Sequence, residues 1–242
     1  MQATAILLAA GLGTGMRSSQ PKTLHKIAGR SMLRHLIASC EAAFDRIVVV
    51  LGPDMEAVAK EAAPHVCVVQ HERLGTAHAA LQAVAHFGTG EVAVLYADNP
   101  LIRPATLRGL LDRRHAGDSG LALLAFRPAD PARYGRVILQ DGHVAHIVEW
   151  ADATESERSI ELCNAGVLCA DASDMARWLM KVKRQPEALD VLRQLNGPEV
   201  AAFEAQEIEG EAQLRAESFH GQLMIVALRQ TGDSDRTDDA RA

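Results

Sequence analysis

The sequence predicts an α/β protein, with a mostly parallel β-sheet flanked by helices and a small β-hairpin lobe over one end. Three observations predict it. Up to about residue 120, short β-rich apolar runs alternate with stretches of helical periodicity, the pattern of a parallel sheet covered by helices. Beyond that point apolar runs follow one another and are joined through Asp141-Gly142, a strong hairpin signal. The chain has 242 residues, 48% hydrophobic and 23% charged, which supports a sizeable core and excludes a disordered chain.

In chain order, residues 4–9 read as the first strand. Leu33, Leu36, Ile37, Cys40 and Phe44 then fall on one helical face, with Ser31 as the N-cap. Strands follow at 46–51, 66–69 and 92–96, with helices near 54–63, 75–86 and 104–114. Residues 121–126 form another strand, 137–139 and 144–148 form the hairpin, and a strand near Val167 leads to a helix near 174–182. A single domain is expected over residues 1–230, and residues 231–242, rich in Asp, Arg and Gly, are expected to be a disordered tail. The apolar run at 5–10 has no basic residue before it and stops at a glycine loop, so it reads as a buried strand and not as a signal sequence. No other apolar run is long enough to cross a membrane, and a cytoplasmic protein is expected.

The formal net charge is −6, and only nine residues are aromatic. That balance disfavours a duplex-binding surface or a base-stacking platform, so nucleic acid is not an expected partner. The charge is unevenly placed. Residues 1–40 hold Arg17, Lys22, Lys26, Arg30 and Arg34 and no acid, giving +5 there and −11 in the remainder. An anion-binding N-terminal segment follows from this. Cys40, Cys67, Cys163 and Cys169 sit in apolar runs without paired spacing, which suggests reduced thiols packed as small hydrophobes.

After the first strand comes Leu8-Ala9-Ala10-Gly11-Leu12-Gly13-Thr14-Gly15-Met16. Glycines in that place let backbone N–H groups approach and cradle phosphates. A Walker loop needs Gly-Lys-Ser/Thr at its end, which is absent. A dinucleotide fingerprint needs its third glycine one position later than Gly15. A nucleotidyltransferase loop and a glycine turn without a ligand both remain. Pro21-Lys22 follows closely, and Tyr96-Ala97-Asp98-Asn99-Pro100 places a carboxylate after the fourth strand. Ligands of open α/β sheets sit at the carboxyl ends of strands, so both elements would face one crevice. Asp98 there could hold Mg²⁺ against phosphates.

Taken with Pro21-Lys22-x-Leu24-His25, Gln70, Leu74-Gly75-Thr76-Ala77-His78-Ala79, Tyr96-x-Asp98-x-Pro100-Leu101, Tyr134-Gly135-Arg136, Ile147-Val148-Glu149 and Asn164-x-Gly166, the loop resembles the uridyltransferase domain of bacterial N-acetylglucosamine-1-phosphate uridyltransferases. The resemblance runs in order from residue 4 to about residue 180. It implies a Rossmann-like nucleotidyltransferase fold and transfer of a uridylyl group from UTP to N-acetylglucosamine 1-phosphate, giving UDP-N-acetylglucosamine and pyrophosphate, with Mg²⁺ as cofactor. It further implies that Ala10, Gly11 and Gly13 contact the nucleotide through backbone, that Gln70, Gly75 and Thr76 read the uracil and ribose region, and that Lys22 stabilises the reacting phosphates. Asp98 would hold the metal, and Gly135, Glu149 and Asn164 would grip the amino sugar. His25 and His78 are expected to pack behind the site.

The sequence also departs from that family. Where its loop has an Arg that clamps the leaving pyrophosphate, this chain has Gly15, and the nearest guanidinium is Arg17. Where it has a second metal ligand, an Asn, Ala212 stands in Ile208-Glu209-Gly210-Glu211-Ala212, with Glu211 or Gln213 as possible substitutes. The Gly-Glu-Tyr-Tyr segment over the sugar is missing, and no hexapeptide-repeat acetyltransferase domain follows, so one activity is expected and not two. Two alternatives therefore accompany the uridylyltransferase reading: a catalytically weak protein that binds a nucleotide or sugar nucleotide, and a nucleotidyltransferase with another base and acceptor.

Overall fold

A computed structural model describes residues 2–11, 18, 20–115, 119–140, 143–184, 206–207 and 222–229. The glycine loop from Leu12 to Arg17, the Asp141-Gly142 turn, residues 185–198, Glu211 to Gln213 and the 231–242 tail lie outside the described residues.

In chain order the elements are β1 (Ala3–Leu8), β2 (Lys26–Ile27), β3 (Arg30–Ser31), α1 (Met32–Glu41), β4 (Arg46–Leu51), α2 (Glu56–Ala62), β5 (Val66–Val69), α3 (Thr76–Gln82), β6 (Glu91–Tyr96), α4 (Pro104–His115), β7 (Ser119–Arg127), β8 (Arg136–Gln140), β9 (His143–Val148), α5 (Glu155–Arg158), β10 (Cys163–Asp171), α6 (Ala172–Arg184), β11 (Gln206–Glu207) and β12 (Gln222–Arg229). The main sheet runs β11-β12-β7-β10-β6-β1-β4-β5. β5, β4, β1 and β6 are mutually parallel, with Thr4 opposite Arg46 and Ala3 opposite Glu91. β1 therefore lies inside the parallel half, and its two neighbours are reached by crossovers in opposite directions. That is a topological switch point, where the carboxyl ends of two strands open a crevice.

The expected parallel half is present, but the sheet as a whole is mixed. β10 returns from the hairpin lobe and slots between β6 and β7, antiparallel to both, and β12 extends β7 antiparallel. Antiparallel neighbours need no crossover helix, which is why the strand–helix alternation stops there. The hairpin is β8 with β9, fastened to β10 where Arg136 pairs with Cys163.

Residues alternate between two cores because successive strand side chains face opposite ways. Leu7, Val49, Leu51 and Leu95 pack under α1, α2 and α4. Ile6, Val48, Val50 and Val94 pack under α3, α6 and the hairpin. Ser31 caps α1 as expected, its hydroxyl accepting from the Arg34 N–H at 3.1 Å. Two small elements go beyond the strands and helices expected, and Thr154-x-x-Glu157 is a capping-box spacing that marks one of them. The β2–β3 ribbon turns on Ala28 and Gly29, both left-handed at φ +48° and +81°, where Asn-Gly is the usual cue. α5 is one turn held by a capping box between Thr154 and Glu157. Among the described residues no helix is long and apolar enough to cross a membrane.

Candidate active site

The crevice begins where β1 ends. Ala9 N–H donates to Val50 O at 2.8 Å and Ala97 N–H to Leu8 O at 3.1 Å, so β1 is held on both sides until the glycine loop starts. Ala10 is buried and Gly11 is exposed. Gly13 and Arg17 lie outside the described residues. Across the crevice, Pro21 at φ −50° opens a short 3-10 turn at Lys22–Leu24, since its ring fixes φ near the helical value. That turn aims Lys22 at the end of β6. Its Nζ donates to Asp98 Oδ2 at 2.6 Å, with the two side chains 42% and 34% exposed. A cation and a carboxylate expected in one crevice are thus in direct contact, and solvent reaches both.

On the β5 side, Gln70 is 3% exposed. Its N–H donates to Leu51 O at 2.7 Å, and its side-chain amide donates to Gly75 O at 3.1 Å and lies 3.0 Å from His78 Nδ1. Gly75 has φ +96°, a conformation glycine adopts without cost, and it turns the chain into α3. Thr76, the first residue of that helix, brings its hydroxyl to 3.4 Å from the Tyr96 hydroxyl. Arg73 spans the ends of the strands: its Nε donates to Ala10 O at 3.0 Å, and its guanidinium lies over Gly52, just beyond β4.

The hairpin supplies the opposite wall. A Cβ at Gly135 would meet the Glu149 carboxylate at 3.1 Å, so the absence of a side chain lets that carboxylate lie along the main chain. Asn164 N–H donates to Gly135 O at 2.9 Å. Gly135, Glu149 and Asn164, separated by up to 29 positions, therefore form one cluster. β10 bulges between Asn164 and Val167. Asn164 Oδ1 accepts from Gly166 N–H at 2.9 Å, Gly166 sits at φ +70°, and a Cβ there would run into the Tyr96 ring. Asn99 ties the bulge to the Asp98 loop through Ala165 O at 3.3 Å. Two walls thus meet at Tyr96.

The model of the MobA-like NTP transferase domain matches residues 5–197. The chain belongs to this NTP transferase family. It is also 64% identical over 180 residues to the bifunctional protein GlmU of Granulibacter bethesdensis, covering 73% of this chain and 40% of that protein. With the bifunctional protein GlmU of Gluconacetobacter diazotrophicus the identity is 60% over 186 residues, covering 75% and 40%. The chain thus spans about two fifths of the length of these relatives. Among solved structures, a putative glucose-1-phosphate thymidylyltransferase from Bacillus anthracis matches with a TM-score of 0.67 at 18% identity, over 80% of this chain and 81% of that one. UDP-glucose pyrophosphorylase from Acinetobacter baumanii matches with a TM-score of 0.64 at 19% identity, over 80% and 81%. At those identities the structures speak for the NTP transferase fold alone.

Nothing in this family member points to thiol chemistry. Burial pushes the Cys40 thiol up to about 12, and it raises Cys163 and Cys169 as well, so these thiols stay protonated near neutral pH. Among the described residues no group of three or more His, Cys, Asp or Glu side chains could form a metal cage. A lone half-exposed carboxylate suits Mg²⁺, which binds through one or two carboxylates plus substrate phosphates and keeps several waters. Sequence reasoning missed Arg73 and the Tyr96–Gly166 contact. Neither carries a spacing signal, since each joins residues far apart in the chain.

Proposed function

We propose that this chain transfers a uridylyl group from UTP to N-acetylglucosamine 1-phosphate, giving UDP-N-acetylglucosamine and pyrophosphate. The observation that carries the reading is the Lys22–Asp98 pair at the switch point, facing the Gly135–Glu149–Asn164 cluster across Tyr96. Its specificity for uridine and the amino sugar is supported by the match to the N-terminal, uridyltransferase part of bifunctional GlmU proteins.

In this reading an oxygen of the sugar phosphate attacks the α-phosphorus of UTP. A new P–O bond forms, the α–β bridging bond breaks, and its electrons leave with pyrophosphate. Catalysis is then mostly positioning and charge neutralisation. The backbone at Ala10, Gly11 and Gly13 would take the nucleotide, with Gln70, Gly75 and Thr76 beside the base and ribose. Lys22 would swing from Asp98 to the phosphates, and Arg17 is the loop's remaining guanidinium. Gly135, Glu149 and Asn164 would accept and donate hydrogen bonds to the sugar hydroxyls and amide. Asp98 would hold Mg²⁺, which when bound neutralises charge on the triphosphate. A cytoplasmic location, with its UTP pool, accompanies the proposal.

The test is pyrophosphate release from UTP and Mg²⁺ with a panel of sugar 1-phosphates; N-acetylglucosamine 1-phosphate should give the highest kcat/KM. Gly15, standing where the resembling enzymes have an Arg, motivates a second reading in which the protein binds the sugar nucleotide without turnover. Calorimetry showing UDP-N-acetylglucosamine binding, with no pyrophosphate released at high Mg²⁺, would select it.

A further inference from the structure

Arg136 is 2% exposed, yet no ion pair joins it to a carboxylate among the described residues. A buried guanidinium has five N–H donors to satisfy and costs free energy for each one left bare. Here backbone carbonyls do the work. Nη1 donates to Pro131 O at 3.2 Å and to Tyr134 O, and Nη2 donates to Ala132 O at 3.0 Å. Nη2 and Nε also reach Arg158 O at 3.3 and 3.4 Å, and Nη1 lies 3.8 Å from the Cys163 thiol. One side chain therefore ties the 131–134 loop to the end of α5.

Those two segments flank the sugar-side cluster. Gly135 is bonded covalently to Arg136, and its carbonyl receives Asn164 N–H, while Val137 N–H on the other side donates to Leu162 O at 2.9 Å. Arg158, whose carbonyl Arg136 holds, donates through Nε to Trp150 O at 3.1 Å and stacks on the Trp150 ring at 4.3 Å. Trp150 follows Glu149, whose carbonyl accepts from Asp152 and Ala153 N–H at 3.0 Å each. Each member of the cluster is thus linked to the guanidinium through one or two hydrogen bonds and the intervening chain, and among the described residues no nucleotide-side residue bonds to it.

We infer that Arg136 is a positioning residue for the acceptor, setting affinity for the amino-sugar part of the ligand and leaving nucleotide affinity alone; the inference rests on the acceptor reading of Gly135, Glu149 and Asn164. Lys, with a single ammonium, cannot reproduce a planar fork over two loops, so its rescue should be partial. The experiment compares wild type with Arg136→Met and Arg136→Lys, in two arms. In calorimetry with Mg²⁺, Arg136→Met should weaken UDP-N-acetylglucosamine about 10- to 100-fold, the range for partners that orient a binding group from behind. UTP should stay within about twofold, and Arg136→Lys should fall between. In hydrogen exchange on the free protein, the Asn164 amide should lose protection in Arg136→Met while the amides of β1 and β6 keep theirs. Equal weakening of both ligands, or an Asn164 amide as protected as in wild type, overturns the inference. If Arg136→Met does not fold, Arg136→Lys carries both arms alone. Wild type that binds UTP but not the sugar nucleotide refutes the acceptor reading instead, and the exchange arm then still decides whether Arg136 orders this wall.

Discussion

β6 carries an acid at each end, and the two have opposite fates. Glu91, its first residue, is 5% exposed and faces Arg114 Nε at 3.4 Å and His115 Nε2 at 3.3 Å from the last turn of α4. Burial pushes its carboxyl up, while Arg114 and His115 pull it back. Asp98, two residues past the other end, has Lys22 at 2.6 Å and keeps a third of its side chain in water. The chemistry is the same kind of charge pair; the solvent is what differs. Removing one partner of a buried pair strands the other charge, so Glu91 fastens α4 to the sheet. A half-exposed pair holds little net stability, so Lys22 and Asp98 can part when a charged ligand arrives. Placement at the carboxyl end of the switch-point strands puts the second pair where ligands of open α/β sheets bind.

The sharpest way to break this contrast is to neutralise each acid. Asp98→Asn should lower the proposed uridylyl transfer about 10³-fold, the scale of losing several kcal/mol of charge stabilisation, while the midpoint of thermal unfolding stays near wild type. Glu91→Ala should do the reverse, costing about 3 kcal/mol of stability by stranding Arg114, with kcat/KM unchanged in the folded fraction. Calorimetric unfolding and pyrophosphate assays on both variants decide it; a Glu91→Ala protein that is stable but inactive would end the division of roles.

Between the two acids, Tyr96 links the site walls through Gly166. Replacing Gly166 by Ala would put a Cβ at φ +70° and into the Tyr96 ring. A loss of about 2 kcal/mol is expected, read as a fall in Tm of roughly 4–8 °C for a chain of this size.

The sequence made the parallel half legible because each strand there is a continuous apolar run and each helix has a clean face. It also pointed to Lys22 and Asp98, since a glycine loop and a strand-end carboxylate must share a crevice once the strands are parallel. It did not reveal that Asp98 has a cation already in contact, nor the buried Glu91 cluster, because Glu91 and Arg114 are 23 positions apart and share no motif. Gln70 enters only through the family resemblance, and its ties to Gly75 and His78 depend on how the loop after β5 folds back. The antiparallel half was hidden for a topological reason: β10 inserts between strands that precede it in the chain, and only long-range pairing decides that.

The gentlest expected effect extends the comparison to Glu157, an acid shifted the other way. Hydrogen bonds from the Thr154 N–H and hydroxyl, both 2.7 Å, and from His146 hold its carboxyl at about 2, against an ordinary 4.5. Because the folded value is lowered, its contribution is complete above about pH 4.5 and disappears as pH falls toward 2. For Glu91 the folded value is raised, so its contribution is complete below its ordinary 4.5 and declines as pH rises through the raised value. Unfolding free energies of wild type measured against Glu157→Gln should therefore converge as the solution is acidified below pH 4.5. Against Glu91→Gln, wild type should lose ground as pH rises above it. Two carboxylates of one chain would then give stability differences of opposite slope, one set by a hydrogen-bonded helix cap in water and the other by burial; parallel slopes would mean that burial does not govern Glu91, and the contrast between the ends of β6 would lose its physical basis.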